Sequence, residues 1–244
     1  MKIDFTWVKN AATRETVWKD YRRIRDAMQA KSLIKARADY LAKYDMPRAA
    51  RRLGIDVSID KASGKPSIDL DNEQQLDVLF DYAMMFEAES GRPMCVDFAA
   101  RYRDSPDESL RAMAEFCADY HYAWLRPLQV KAGFGARCEN LLTQTECFVV
   151  DRGFSMTFGQ HRNLGMFTGL HPFGDPKLGC VMTGGAGLPV SLHGIESALE
   201  NLLIALKIEK RPPLELTEAE LSRFVAASIN QAFRAGSSEQ IRYE

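Results

Sequence analysis

Short apolar segments separated by glycines occupy residues 128–183, and they restrict the fold of this chain more than any other feature. The apolar segments lie near residues 128–132, 136–142, 145–151, 164–170 and 178–183. Glycines stand in the gaps between them, from Gly133 through Gly153 to Gly174. About five short strands joined by glycine-rich turns at this spacing indicate a small antiparallel barrel or a strongly bent sheet.

Helical periodicity marks the regions on both sides of these strands. A first helix is predicted by apolar residues that recur on one helical face, namely Val17, Tyr21, Ile24 and Met28. Capping boxes predict two further helix starts, at Ser105–Glu108 and at Thr217–Glu220. The apolar stripe of the earlier helix extends through Tyr120 and Trp124, so we expect that helix to continue past residue 120.

Alternating apolar and polar residues predict short extended segments nearer the N-terminus. Ile3, Phe5 and Trp7 predict a strand, and the alternation on both sides of Lys61–Pro66 predicts a hairpin. A further helix is expected from about residue 71 to residue 90.

The chain is therefore expected to be an α+β protein with a helical N-terminal part, a small antiparallel β-barrel of about five strands, and C-terminal helices. Residues 1–125 form the mainly helical region with the short hairpin, residues 126–190 the barrel-like region, and residues 191–244 the helices that pack on the rest. With 244 residues, 46% of them hydrophobic, the chain is long and apolar enough to bury a real core.

Composition excludes several classes of protein. No apolar run approaches the roughly 18 residues needed to cross a bilayer, and no signal-peptide pattern follows Met1, so we expect a cytoplasmic protein. The five cysteines include no CxxC pair and are expected to be reduced thiols that behave as small apolar side chains. The sequence predicts neither a cofactor nor a metal site.

Charge is segregated along the chain although the formal net charge is only −1. Residues 1–55 carry a net charge of +8 and residues 56–120 carry −9. The two segments can neutralise each other by packing, with arginines of the first helix facing Glu73, Asp77 and Asp81. Alternatively, the basic segment and the barrel bind nucleic acid through one exposed surface, for which the candidate residues are Lys19, Arg22, Arg23, Lys35, Arg48, Arg51 and Arg52.

Polar residues in the predicted loops of the barrel are the candidates for a ligand site. They stand beside glycines and comprise Asp151, Arg152, His161, Arg162 and His171. Cys117 and His121 have the i, i+4 spacing of a metal pair on a helix, but two ligands do not make a site, and a core role is expected. Residues 183–187 resemble a phosphate loop only superficially and are expected to form a tight turn.

Residues 74–190 resemble a loosely defined family of uncharacterised bacterial proteins, in which a helical segment with a Phe-Asp-Tyr element precedes a small β domain. The matching residues are Leu79–Tyr82, Pro93 with Phe98, Asp107–Glu108, Asn140–Thr143, Val150–Ser155 and Val181–Pro189. Some members carry a SEC-C-type zinc motif. This chain has none, so the resemblance implies neither zinc nor an activity.

Three hypotheses about function follow. A non-enzymatic binding or adaptor protein in the bacterial cytosol is favoured, because no nucleophile–base pair or cofactor loop is recognisable. Nucleic-acid binding through the basic first helix and the barrel is the first alternative. The second is an enzyme with a pocket between the helices and the barrel. The partner, whether a protein or a small molecule, and the oligomeric state are open.

Overall fold

A computed structural model describes residues 3–32, 35–36, 39, 45–86, 94–161 and 163–234. Within these residues the helices are α1 (Ala11–Met28), α2 (Met46–Arg52), α3 (Glu73–Phe86), α4 (Met94–Tyr102), α5 (Glu108–Ala118), α6 (Arg152–Gln160), α7 (Ile195–Ala205) and α8 (Glu218–Arg234). The strands are β1 (Asp56–Ile59), β2 (Pro66–Asp69), β3 (His121–Lys131), β4 (Gly135–Asn140), β5 (Thr145–Val150), β6 (Leu164–Pro172) and β7 (Cys180–Ser191). Two 3₁₀-helices cover Phe5–Lys9 and Pro176–Leu178.

Five strands close into a barrel in the order β3-β4-β5-β7-β6, with helices before and after it. The α+β class and the five-stranded barrel are thus confirmed, but the barrel is mixed rather than antiparallel. Strand β5 pairs with β7 in parallel, Phe148 opposite Cys180 and Val149 opposite Val181. The reason is topological: antiparallel neighbours alternate in direction, and an odd number of strands cannot alternate all the way around a closed ring.

Helix α6 fills the barrel from one end. Its Phe154 and Phe158 are buried, with ring centroids 4.3 Å apart, in a cluster with interior residues of the strands. Several of these interior residues are small, including Ala123, Ala136 and Cys138, which leaves room for the two rings. Asp151 starts the helix, because its Oδ1 accepts a hydrogen bond of 2.7 Å from the Phe154 amide.

The other helices cover the outer surface of the barrel. Helix α5 packs on β6, helices α3 and α8 pack on β7, and α1 packs on α5. A large second core lies between these helices and the outward-facing side chains of the strands, so the sheet of β6 and β7 is buried on both faces. The hairpin of β1 and β2 is confirmed, as is the Thr217–Glu220 capping box, in which the Thr217 amide donates to Glu220 and the Glu220 amide donates to Thr217.

Some predicted elements are wrong, and burial on both faces explains the most important one. Helix α5 ends at Ala118, and β3 begins at His121, so Tyr120 and Trp124 do not belong to a helix. Residues 122–125 face either the barrel interior or the covering helices and are all buried. A strand buried on both faces is continuously apolar and cannot be distinguished from a buried helix by its pattern.

Two shorter predictions are also wrong. The segment at Phe5–Lys9 is a 3₁₀-helix rather than a strand, with the Trp7 indole N–H donating to the Leu178 carbonyl over 3.1 Å. Residues 183–187 lie inside β7 rather than in a turn. Gly184 among them lies in close contact with Asp81 of α3, as described below.

The two α6 rings that fill the barrel should contribute strongly to the stability of the protein. Replacing Phe158 by Ala removes a buried ring from the barrel interior and should lower the free energy of unfolding by about 3–5 kcal/mol. The matched control is Met156→Ala on the same helix, where the side chain is 52% exposed and the loss should stay within about 0.5 kcal/mol. Urea unfolding curves measure both free-energy changes, and equal losses would contradict the role of Phe158 in filling the barrel interior.

Candidate functional site

Helices α1, α3, α4 and α5 and the outer face of β6 and β7 enclose a cavity of about 150 Å³. Its wall is mostly apolar and rich in sulfur and aromatic rings, with Met28, Phe80, Met84, Met94, Cys95, Phe98, Met113, Phe116 and Cys117. The polar lining residues are Arg25, Asp77, Asp81 and His171. A cavity of this volume accommodates a benzene-sized molecule.

His171, on β6, supplies a neutral imidazole to the cavity wall. Its ring stacks on Phe116 with centroids 3.3 Å apart, and its Nδ1 lies 2.6 Å from the Phe116 carbonyl oxygen. Burial lowers the pKa of His171 well below its usual value, although the Phe116 carbonyl opposes this effect. A carbonyl oxygen only accepts, so Nδ1 carries the hydrogen and Nε2 is left as an acceptor.

Two tyrosine hydroxyls are buried next to this wall. Tyr120 and Tyr122 meet edge to face with ring centroids 5.3 Å apart, and Tyr120 also contacts His171. The two hydroxyls interact with each other, and neither has another hydrogen-bond partner among the described residues. Burial, together with the negative charge of Asp81, raises the pKa of both tyrosines well above the usual value, so both remain neutral. A buried polar group that lacks a partner costs about 1–3 kcal/mol, so the limited hydrogen bonding of these two hydroxyls opposes folding.

Two glycines bring these side chains against the sheet. A Cβ at Gly169 would lie 1.8 Å from the Tyr120 hydroxyl oxygen, and a Cβ at Gly184 would lie 2.9 Å from Oδ2 of Asp81. Any other residue at Gly169 would displace the tyrosine ring. The absence of side chains at these positions therefore sets how closely Tyr120 and Asp81 approach the barrel.

Asp151 forms a second buried polar centre close to the cavity. Its carboxylate caps α6 and accepts a 3.4 Å hydrogen bond from the Thr183 hydroxyl. Burial raises the pKa of Asp151, while the positive charge of Arg25 opposes the increase. Arg25 also lines the cavity, so one guanidinium lies near both the Asp151 centre and the cavity.

The predicted ligand-site residues are distributed along α6 and β6. His171 lines the cavity, and Asp151 lies outside its lining but feels the charge of the lining residue Arg25. Arg152 begins α6 with its guanidinium 5.9 Å from the centroid of the Trp18 ring, whereas His161 is exposed at the other end of this helix. Eight helical residues separate these two positions. Arg162 lies outside the described residues.

Sequence reasoning missed most of the cavity wall. Asp81 could be singled out because a carboxylate between Phe80 and Tyr82 interrupts an apolar stripe. Arg25 and the methionines of the wall carried no such signal, and neither did Tyr120 and Tyr122 next to it. The Cys117–His121 pair is not a helical pair, since His121 is the first residue of β3. Within the described ranges, no three or more His, Cys, Asp or Glu side chains converge as a metal-binding group.

The basic residues proposed for nucleic acid lie on separate elements. Lys19, Arg22 and Arg23 belong to α1, which packs on α5; Arg48, Arg51 and Arg52 belong to α2, which packs on α3 and the hairpin; and Lys35 is exposed. The Arg23 guanidinium forms a 3.0 Å ion pair with Glu115 of α5. The nucleic-acid hypothesis stays a prediction. Among the described helices, none combines the length and apolarity that a membrane crossing requires.

A substitution at Gly169 tests its close contact with Tyr120 directly. Gly169→Ala should destabilise the protein by about 1–3 kcal/mol, because the new methyl group overlaps Tyr120. The same change should cost less in a Tyr120→Ala background. Gly159→Ala in α6 is the control, since its nearest neighbour lies 3.9 Å away and the change should be neutral or stabilising. Additive losses at Gly169 and Tyr120 in denaturant unfolding would contradict this contact.

His171 should make stability depend on pH in a defined direction. Its folded pKa lies well below 6.5, whereas the unfolded chain protonates the ring near that value. Below about pH 6.5 the unfolded state therefore binds more protons than the folded state. The contribution of His171 to the free energy of unfolding is fully present above this pH and is lost as the pH decreases, by at most about 1.4 kcal/mol per pH unit. Burial of Asp151 acts in the opposite sense, so the comparison must be made between variants.

The measurement is the free energy of unfolding at pH 7.5, 6.5 and 5.5 (values chosen to span roughly one unit on each side of the usual histidine pKa). His171→Gln should flatten the loss between the two lower values, and His161→Gln, at an exposed position, should leave it unchanged. Identical slopes for the wild type and His171→Gln would show that this histidine is not held neutral by folding.

Comparisons with known proteins identify no relative: no family model matches the chain, and neither the curated proteins nor the solved structures contain a significant match.

Proposed function

We propose that this protein is a non-enzymatic binding protein whose ligand is a small amphipathic molecule held in the cavity between the helices and the barrel. The observation that carries the proposal is a mostly apolar cavity whose lining includes a few polar groups, among them Asp81 and His171. Apolar cavities with a few placed polar groups are the usual form of small-molecule sites.

The wall chemistry supports a ligand with an apolar body. Four methionines, Met28, Met84, Met94 and Met113, contribute to a cavity of only about 150 Å³. Methionine is flexible and polarizable, so it adapts its shape to a bound molecule and contacts aromatic groups favourably. The aromatic rings of Phe80, Phe98 and Phe116 add flat apolar surface. A single ring or a short branched alkyl group is the size that fits.

The polar lining of the cavity favours a ligand that donates hydrogen bonds. It contains more acceptors than donors, since the carboxylates of Asp77 and Asp81 and the Nε2 of His171 are acceptors. Arg25 is a donor, but its charge also acts on Asp151. Hydroxyl and ammonium groups on the ligand therefore suit this lining, whereas a carboxylate would be repelled by the two acids.

A set of one-ring probes tests this proposal. Benzyl alcohol and benzylamine should bind with dissociation constants of about 0.1–1 mM, as expected for ligands of this size. Benzoate should bind at least about tenfold more weakly, a difference of about 1.4 kcal/mol. Ligand-observed NMR and chemical-shift changes of the protein measure the affinities.

The control pair uses two methionines at partly exposed positions. Met84→Trp should occlude the cavity and abolish binding, whereas Met156→Trp, on the solvent side of α6, should leave binding unchanged. Thermal unfolding verifies that both variants fold. Equal binding of all three probes, or binding that survives Met84→Trp, would refute the proposed site.

A second candidate is an enzyme that uses the same cavity, and the neutral His171 is the observation that favours it. An imidazole whose Nδ1–H is fixed by a carbonyl presents Nε2 as a possible general base. Cys95 is not a suitable nucleophile, because burial raises the pKa of its thiol to about 11. Chemical conversion of a bound probe that is lost in His171→Gln, with binding retained, would favour the enzyme over the binding protein.

A further inference from the structure

A second pocket, of about 440 Å³, lies between the N-terminal segment and the barrel. It shares no lining residue with the cavity described above. The first 3₁₀-helix and the start of α1 form one side, and the ends of β3, β4 and β5 form the other. Its volume falls within the usual range for small-molecule sites.

The polar lining of this pocket is strongly basic. Four cationic side chains point to an anion as the occupant, namely Lys9, Arg14, Lys131 and Arg137, and no acidic residue lines the pocket among the described residues. Only Arg137 has an ion-pair partner within the described chain, Glu146, with its Nε 2.6 Å from the carboxylate. Glu146 therefore neutralises only the charge of Arg137, and the charges of Lys9, Arg14 and Lys131 remain in excess.

Arg14 is held in place by the backbone. Its Nη1 donates a 2.6 Å hydrogen bond to the Val8 carbonyl, and the side chain is half-buried. A guanidinium fixed in this way keeps further N–H groups for a ligand and loses less conformational freedom when it binds one. Lys9 and Lys131 are exposed and add point charges on opposite sides of the pocket.

Apart from these cations and Gln129, the lining of the pocket is apolar. Phe5, Val8, Val130 and Phe148 contribute to the lining, and the Arg137 guanidinium lies 5.2 Å from the centroid of the Phe5 ring. Charge alone would suit any anion, but a pocket much larger than one inorganic ion and partly apolar suits an anion attached to an organic group. The guanidinium fork and the lysine charges match phosphate oxygens.

From this combination of charge, volume and apolar surface we infer that the pocket binds an organic phosphate monoester. The phosphate group lies among Arg14, Lys9 and Lys131, and the organic group contacts the apolar side near Val8 and Val130.

Phenyl phosphate, inorganic phosphate and phenol are suitable probes, observed by phosphorus and proton NMR on the full chain. Phenyl phosphate should bind at least about tenfold more tightly than inorganic phosphate, and phenol should not bind at this site. Affinity should decrease as sodium chloride is added, because the contacts are ionic and partly exposed. Equal affinities for the two phosphates would identify an inorganic anion site and overturn the monoester assignment.

Variants connect the binding to these residues. Arg14→Gln and Lys131→Gln should each weaken phenyl phosphate about tenfold, while Lys61→Gln, an exposed lysine at the β1–β2 turn, should have no effect. Met84→Trp should also leave this binding intact, which separates this site from the cavity. Unchanged affinity in both pocket variants would overturn the inference.

A single-stranded oligonucleotide is the last probe of the binding experiment. Oligothymidylate whose affinity increases with length and exceeds that of phenyl phosphate would assign the basic pocket to nucleic acid rather than to a monoester. Affinity no greater than that of phenyl phosphate supports the small ligand.

Discussion

Closure of a five-stranded barrel is the constraint on which the rest of this structure depends. An odd number of strands requires at least one parallel pairing, here β5 with β7, and parallel neighbours need a long connection between them. That connection contains α6, whose Phe154 and Phe158 enter the barrel and fill it. The same segment therefore satisfies the topology and completes the core, which makes the barrel a rigid support for the helices outside it.

The cavity arises where those helices meet polar groups on the outer face of the barrel. Tyr120, Tyr122 and His171 supply these polar groups, and the two tyrosine hydroxyls, which interact with each other, have no other hydrogen-bond partner in the described chain. Gly169 and Gly184 allow Tyr120 and Asp81 to approach the sheet closely. Packing alone does not favour such an arrangement, because a buried hydroxyl with few hydrogen bonds opposes folding.

Local patterns predicted the parts of the fold that depend on local chemistry. The glycine spacing located the strands of the barrel, and the Thr217–Glu220 capping box located the start of α8. The pattern failed at Tyr120–Trp124, where burial on both faces gives a strand the apolar stripe of a helix. His171 was identified as a candidate ligand residue, but its partners in the cavity come from four helices distant in sequence, and no spacing within one element reveals such an arrangement.

The structure shows where the basic and acidic segments of the sequence meet. The basic first segment does meet the acidic second one, but α1 packs chiefly on α5, where Arg23 pairs with Glu115, while Arg25 reaches the cavity that Asp77 and Asp81 line. Exposed pairs such as Arg23–Glu115 contribute only about 0–1 kcal/mol, so charge selects the register of these helices more than it stabilises them. Lys9 and Arg14, at the opposite end of the first segment, have no ion-pair partner among the described residues and face the basic pocket instead. Charge neutralisation and the proposed ligand recognition therefore involve different residues of one basic segment, and a net charge counted along the sequence cannot separate them.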